Sequence, residues 1–167
     1  MSDQEESFET GRLIALVHYV IAKIDPSKFG YVKLNRILWY ADLEYYRWNG
    51  VSFSGLRHYA RTPQGPMSKD ITMAVSRLVR DGKVAERSVQ GADYARREIV
   101  SLKPPDLSRF TLEEIAALAK VIEAVVPLTA TQLRQMTLED SQWKELGNDA
   151  VMSIATGSIV TRPLTSK

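Results

Sequence analysis

The sequence contains no cysteine and only two histidines among its 167 residues. The absence of cysteine excludes a disulfide framework, a thiol nucleophile and every thiolate metal site. His18 and His58 are 40 residues apart and therefore lack the close spacing of a metal-ligand pair. We predict that the protein holds no metal and no cofactor.

Long apolar segments and catalytic motifs are also missing. No apolar run approaches the roughly 20 residues that a membrane helix needs, so we expect no membrane contact. The segment Met1–Glu9 is acidic and polar, unlike a secretory signal peptide. The chain shows no Gly-rich phosphate loop, no nucleophile elbow and no assembled acid–base pair. The sequence therefore predicts a cytoplasmic protein that is not an enzyme.

The chain has little net charge, but its charged residues are unevenly distributed. The net charge is 22 − 20 = +2, whereas residues 57–97 alone carry nine Lys/Arg and four Asp/Glu, or +5. The remainder of the chain is therefore −3. This basic segment is either an ordinary solvated surface or a positive face for a polyanion.

Hydrophobic periodicity predicts a mainly α fold, a single compact domain of about six helices with one small β-hairpin. The first predicted helix ends at Asp25-Pro26, the second spans Lys33–Trp48, and the third is capped by Ser68. The fourth runs from the capping box at Thr111 to about Val126. The fifth and sixth span Thr129–Met136 and Leu138–Leu146. The hairpin strands are Lys83–Val89 and Tyr94–Leu102. Thr62 to Gly65 has the residue pattern of a β-turn.

The length suits one domain with two short appendages. We predict an acidic N-terminal lead-in at residues 1–10, a helical domain at residues 11–147 and a tail at residues 148–167. Within that tail, Ser158–Thr161 is a candidate edge strand.

The second predicted helix is unusually rich in aromatic residues. Seven of the fourteen aromatic residues lie between positions 39 and 59: Trp39, Tyr40, Tyr45, Tyr46, Trp48, Phe53 and Tyr59. The spacing of the second helix places six residues on one face: Leu34, Ile37, Leu38, Ala41, Tyr45 and Trp48. The predicted inner face of the fourth helix is Leu112, Ile115, Ala119, Ile122 and Val126. The aromatic segment is either a core helix whose hydroxyls reach the surface or a protein-binding surface, and the two are compatible.

Two segments have a weak likeness to DNA-binding motifs. The third helix followed by a basic hairpin is similar to a winged helix, and Thr129–Leu133 after Pro127 is similar to a helix-turn-helix. The alternative function is therefore a DNA-binding transcriptional regulator. Its candidate nucleic-acid contacts are Lys69, Arg77, Arg80, Lys83, Arg87, Arg96 and Arg97.

The run from Lys33 to Tyr46, KLNRILWYADLEYY, resembles the motif of the Panacea domain, the SocA-like antitoxin family. Three further segments resemble that family in the same order: residues 50–59 (GVSFSGLRHY), Gln64-Gly65-Pro66, and residues 106–114 at the entry to the fourth helix. Trp143 is similar to the family's late tryptophan. The resemblance covers about residues 12–147, nearly the whole chain.

This resemblance implies an antitoxin of a prokaryotic or phage-associated toxin–antitoxin system. The expected partner is a cognate protein toxin, encoded by an adjacent gene and neutralised by direct binding. One relative delivers its toxin to a protease as an adaptor, so a cellular protease is a further candidate partner.

We assign site residues on the combined basis of the aromatic segment and the resemblance. The expected partner-binding anchors are Tyr45, Tyr46, Arg47, Arg57, Tyr59 and Arg61. The expected structural motif comprises Lys33, Leu34, Tyr40, Asp42, Gly65, Pro66 and Trp143. We expect Asp42 to order the surface by pairing with Arg57 or by accepting a tyrosine hydroxyl, and Gly65-Pro66 to set turn geometry.

Overall fold

The computed structural model of the chain describes residues 8–56, 58–91, 95–138 and 151–153. Five α-helices lie within these ranges: α1 (Phe8–Lys23), α2 (Tyr31–Asn49), α3 (Lys69–Arg80), α4 (Leu112–Val125) and α5 (Ala130–Leu138). The strands there are β1 (His58–Thr62), β2 (Gly65–Met67), β3 (Val84–Gln90), β4 (Ala95–Ser101) and β5 (Val151–Ser153). The mainly α prediction is confirmed. The predicted sixth helix, apart from its first residue, and the candidate strand at 158–161 lie outside the described residues.

The prediction of one β-hairpin is wrong, because the described chain forms two small antiparallel sheets. β3 and β4 pair as predicted, from Val84↔Ser101 to Gln90↔Ala95. The second sheet has the strand order β2-β1-β5. Its hairpin turns at Pro63-Gln64, between the paired residues Thr62 and Gly65. The short β1 and β2 show no alternation, and β5 pairs with a strand far earlier in the chain, so neither leaves a local signal.

Local capping chemistry explains where the helices begin and end. The Thr111 hydroxyl accepts from the Glu114 N–H at 3.0 Å, and the Glu114 carboxylate accepts from the Thr111 N–H at 3.0 Å. Ser68 caps α3 through the Asp70 N–H, and Gly50 ends α2 with a left-handed φ of 75°. These helix boundaries are the predicted ones to within about two residues.

The core is built around α2, in which every residue from Leu34 to Asp42 is buried. α1 packs on α3 and β4, and α4 packs on α2. The 3-4 repeat of α3 predicts one apolar face of Ile71, Ala74, Val75, Leu78 and Val79. The first four are buried, whereas Val79 is 39% exposed. No described helix has both the length and the apolar character needed to cross a lipid bilayer.

The predicted inner face of α4 is wrong in part. The buried stripe is Leu118, Val121, Ile122 and Val125, whereas Leu112 is 88% exposed. Leu112 lies nine residues before Val121, which places it about 180° around the helix from that buried side chain. The hydrophobic pattern alone allows either stripe, because both repeat at three and four residues.

Candidate partner-binding surface

Polar residues at the start of α2 tie this helix to its neighbours. The Lys33 ammonium donates to the Val126 carbonyl at 2.8 Å, which satisfies an acceptor at the C-terminal end of α4. The Asn35 side-chain oxygen accepts from the Ser68 N–H at 2.8 Å and so fixes the start of α3. Two further members of the predicted structural motif, Leu34 and Tyr40, are buried beside them. These side chains therefore stabilise the fold.

Arg36 and Gly65 form a close contact between α2 and the turn of the β1–β2 hairpin. Arg36 is 3% exposed and donates to the Leu133 carbonyl at 2.6 Å. Gly65 has a left-handed φ of 114°, and a Cβ built there would lie 2.5 Å from the Arg36 Nη2 atom. Pro66 follows as a buried residue of β2. Only glycine leaves room for the guanidinium at this turn.

Asp42 is a completely buried carboxylate that holds the loop after α2. One carboxylate oxygen accepts from the Ser54 N–H at 2.8 Å, and the other accepts from the Ser54 and Tyr59 hydroxyls, each at 2.7 Å. Burial raises the pKa of Asp42 to about 6, although these donors act to lower it. Asp42 therefore joins α2, the 50–56 loop and β1.

The expectation that Tyr59 is a surface anchor is corrected by its burial. Its side chain is 1% exposed and packs edge-on against Trp39, with ring centroids 5.0 Å apart. A partner cannot reach Tyr59 without opening the core. Asp42 does accept a tyrosine hydroxyl, as expected, and that hydroxyl belongs to Tyr59. Arg57, the other expected partner of Asp42, lies outside the described residues, as does Trp143.

A second polar network joins α1, α2 and α4. Arg12 donates to the Phe53 carbonyl at 2.9 Å and to the Glu114 carboxylate at 3.1 Å. The Tyr45 hydroxyl donates to the same Glu114 oxygen at 3.1 Å. Burial acts to raise the pKa of Glu114, but the Thr111 N–H, Arg12 and Tyr45 outweigh it and hold that pKa below its ordinary value. The network fixes the distance between α2 and the start of α4.

An open apolar cleft of about 450 Å³ lies between the last turns of α2 and the first turns of α4. Its lining residues are Ala41, Glu44, Tyr45, Trp48, Asn49, Phe53, Thr111, Glu113, Glu114, Ala117, Leu118 and Val121. Trp48 is 77% exposed, which corrects the prediction that it shares the buried face of α2. We call this feature the α2–α4 cleft.

The remaining predicted anchors are distributed over α2 and β1. Tyr45 lies in the cleft wall, half-buried, with its ring stacked on Phe53 at 5.0 Å. Tyr46 is partly buried against the core, and Arg47 is exposed in the last turn of α2. Arg61 is half-buried in β1, opposite Pro66. The structure therefore brings Tyr45 to the cleft and leaves the binding roles of Tyr46, Arg47 and Arg61 as predictions.

The rim residues of the cleft were not among the predicted sites. Glu44, Trp48 and Glu113 come together only when α2 and α4 are packed against each other. A partial signal was available, since Asn49-Gly50 ends α2 one residue after Trp48. An aromatic side chain in the last turn of a helix readily extends beyond the core that the helix covers.

Three of the seven candidate nucleic-acid residues contact acidic neighbours in the described part of the chain. Arg87 lies 2.9 Å from Glu98, and Arg97 lies 3.6 Å from Glu86. Arg80 contacts Asp81 at 3.4 Å; Lys69 and Lys83 are exposed, Arg77 is half-buried, and the Arg96 side chain is not among those described. These pairs reduce the positive field of the β3–β4 hairpin. Nucleic-acid binding stays a prediction, which salt-dependent binding to duplex DNA would test.

Among the described side chains, no group of three or more His, Asp or Glu is arranged to hold a metal ion. The buried carboxylates hold structural hydrogen bonds. An open feature of the described part of the chain is the α2–α4 cleft, with its exposed tryptophan. Its lining suits contact with another protein, because it contains Trp48 and Tyr45 and these residue types are frequent at the centre of protein–protein interfaces.

Comparison with known proteins gives one family match. The family model described as "Antitoxin SocA-like, Panacea domain" matches residues 34–144, which include most of α2 and all of α3, α4 and α5. No significant similarity was found to a curated protein or to a solved structure.

Proposed function

Because the chain belongs to the SocA-like antitoxin family with a Panacea domain, we propose that it is an antitoxin that neutralises a protein toxin by binding it directly. The family match over residues 34–144 is the observation that carries this proposal. We expect the toxin to be encoded by an adjacent gene and to meet the antitoxin in the cytoplasm.

Exposed apolar residues at the end of α2 and the start of α4 support binding by surface contact. Trp48, which lines the cleft, is 77% exposed, and Leu112 and Val51 are 88% and 58% exposed. Large exposed apolar side chains are typical of an interaction site when they form a patch. A protein–protein interface of ordinary size buries about 1,600 Å² in total, so the cleft would form one part of it.

Co-expression with each neighbouring gene tests the proposal. We expect one neighbour to arrest growth by itself, and we expect this chain to restore growth and to co-purify with that product. A matched strain carrying an empty plasmid controls for expression load. If no neighbour is toxic, or if the toxic one is neither rescued nor bound, direct neutralisation is wrong.

The same cells test whether the chain is an adaptor for a cellular protease. In that case the level of the toxin falls when the antitoxin is present and recovers in a protease-deficient host. Simple masking leaves the toxin level unchanged while growth recovers.

Replacing Tyr46 and Arg47 together by alanine tests the predicted anchors at the end of α2. We expect the complex with the toxin to weaken about tenfold or more, because truncating an interface anchor typically costs over 1 kcal/mol. The far-UV CD spectrum of the free variant should match that of the wild type, since Arg47 is exposed and Tyr46 only partly buried. A lost helical CD signal would instead show that these side chains serve the core.

A further inference from the structure

The α2–α4 cleft has an apolar floor and aromatic or polar edges. Ala41, Phe53, Leu118 and Val121 lie in its lining, and all four are buried in the free chain. Trp48 stands on the α2 edge. A volume of about 450 Å³ is that of a pocket for one or two large side chains.

The charged residues of the cleft are all acidic. Its lining contains Glu44, Glu113 and Glu114 and no lysine, arginine or histidine. Glu114 is engaged by Arg12 and Tyr45. Glu44 and Glu113 make no ion pair with any residue that the structure describes. The rim therefore presents two carboxylates whose charge is not balanced by a described neighbour.

We propose that this cleft binds a segment of the toxin that places a large apolar side chain on the cleft floor and a lysine or arginine against Glu44 and Glu113. This inference rests on the antitoxin function proposed above and names the part of the toxin that is recognised. The apolar floor supplies affinity through burial of hydrocarbon. The carboxylates supply orientation and selectivity, since they disfavour an acidic or neutral polar segment.

The cleft is built before the partner arrives. Arg12 bridges Phe53 and Glu114, and its guanidinium lies 4.7 Å from the centre of the Phe110 ring. Tyr45 closes the same network from α2. A wall that is already held in place loses little conformational entropy on binding, which favours affinity for the matching segment.

Binding of the toxin by four variants tests the proposal. Trp48→Ala removes the exposed aromatic edge, and Glu44→Lys with Glu113→Lys reverses the charge of the rim. The matched controls are Leu102→Ala, an apolar residue 56% exposed and outside the cleft lining, and Glu123→Lys, an exposed carboxylate of α4 that is also outside it. The probe is the purified product of the neighbouring gene that the chain rescues, titrated by calorimetry.

We expect Trp48→Ala to weaken binding about thirtyfold or more, as truncation of a central anchor does. The double reversal should weaken it about tenfold or more at low salt. Wild-type affinity should fall as NaCl rises from about 0.05 to about 0.5 M, and the double variant should lose this dependence. Both controls should bind as the wild type does.

A charge swap adds a stricter requirement. Reversing the toxin's own lysine or arginine to glutamate should restore binding to the doubly reversed antitoxin. Thermal melts of the free variants check that each one folds. The double reversal should melt slightly below the wild type, because Glu113→Lys places a positive charge in the first turn of α4.

The possible failures are distinct. If the wild-type chain rescues growth but Trp48→Ala and the double reversal bind as tightly as the controls, the antitoxin function holds and the cleft proposal is wrong. If the chain alone is a dimer that Trp48→Ala dissociates, the cleft takes a second copy of this chain and the proposal is also wrong. If the wild type neutralises no neighbour, the proposed function fails, and this inference fails with it.

Discussion

Replacing Asp42 by alanine should lower the free energy of unfolding by about 3–5 kcal/mol, the cost typical of breaking a buried charged network. The substitution leaves the Ser54 N–H and the Ser54 and Tyr59 hydroxyls without their acceptor in a fully buried site. It also opens a small cavity beside Trp39 and Tyr59. Urea denaturation followed by far-UV CD measures this loss. A decrease below about 1 kcal/mol would contradict the structural role of Asp42.

Asp42→Asn is the matched variant, because it keeps the side-chain shape and one acceptor oxygen while removing the charge. We expect it to be less destabilising than alanine, since the Ser54 and Tyr59 hydroxyls can rotate to accept from the new amide. A larger loss for asparagine than for alanine would show that the negative charge itself holds the site together.

Comparing the wild type with Asp42→Asn at several pH values should reveal the titration of Asp42. Its folded pKa of about 6 lies above the ordinary value of 3.8, so the folded state binds this proton more tightly than the unfolded state. The contribution of Asp42 to stability therefore rises as pH falls through about 6 towards about 4, by about 3 kcal/mol in all. Asp42→Asn lacks this group, and the stability difference between wild type and variant should shift towards the wild type on acidification. A difference that is constant with pH would contradict the raised pKa.

Gly65→Ala should cost about 4 kcal/mol, because two penalties combine. An alanine at a left-handed φ of 114° is strained by about 1 kcal/mol or more. Its Cβ also collides with the Arg36 guanidinium, which is buried and cannot move without losing its bond to the Leu133 carbonyl. Displacing a buried, hydrogen-bonded cation costs about 3 kcal/mol or more.

Gly82→Ala provides the matched control for backbone strain. Gly82 has a left-handed φ of 74°, yet no heavy atom lies within 4 Å of a Cβ built there. We expect it to cost only about 1 kcal/mol. Equal losses for the two variants in thermal or urea unfolding would mean that the Arg36 contact contributes nothing and that backbone strain alone explains Gly65.

The two halves of α2 have different structural roles. Lys33, Asn35, Arg36 and Asp42 make buried contacts that hold α3, α4, the hairpin turn and the 50–56 loop in place. Trp48, six residues beyond Asp42, is exposed and does not hold another described element in place. Substitutions at the exposed end should therefore change the surface of the protein with little cost in folding free energy.

Several features of the fold could be predicted because their causes are local. The capping box at Thr111, the proline and glycine at the hairpin turn and the 3-4 repeat of α3 all act within a few residues of themselves. The second sheet could not be predicted in this way, because β5 adds to β1 across most of the chain. The burial of Tyr59 was missed for the same reason: its partner, Asp42, lies on another element.

The sequence by itself determined the helical class, the helix ends, the absence of cysteine chemistry and the family motif at Lys33–Tyr46. Each of these depends on residue type or on spacing within a turn or two of helix. Only the tertiary structure decided which aromatic residues are accessible and that Glu44, Trp48 and Glu113 share one cleft. A helix offers several faces of similar hydrophobicity, and the choice among them is made by packing energy that involves residues distant in sequence.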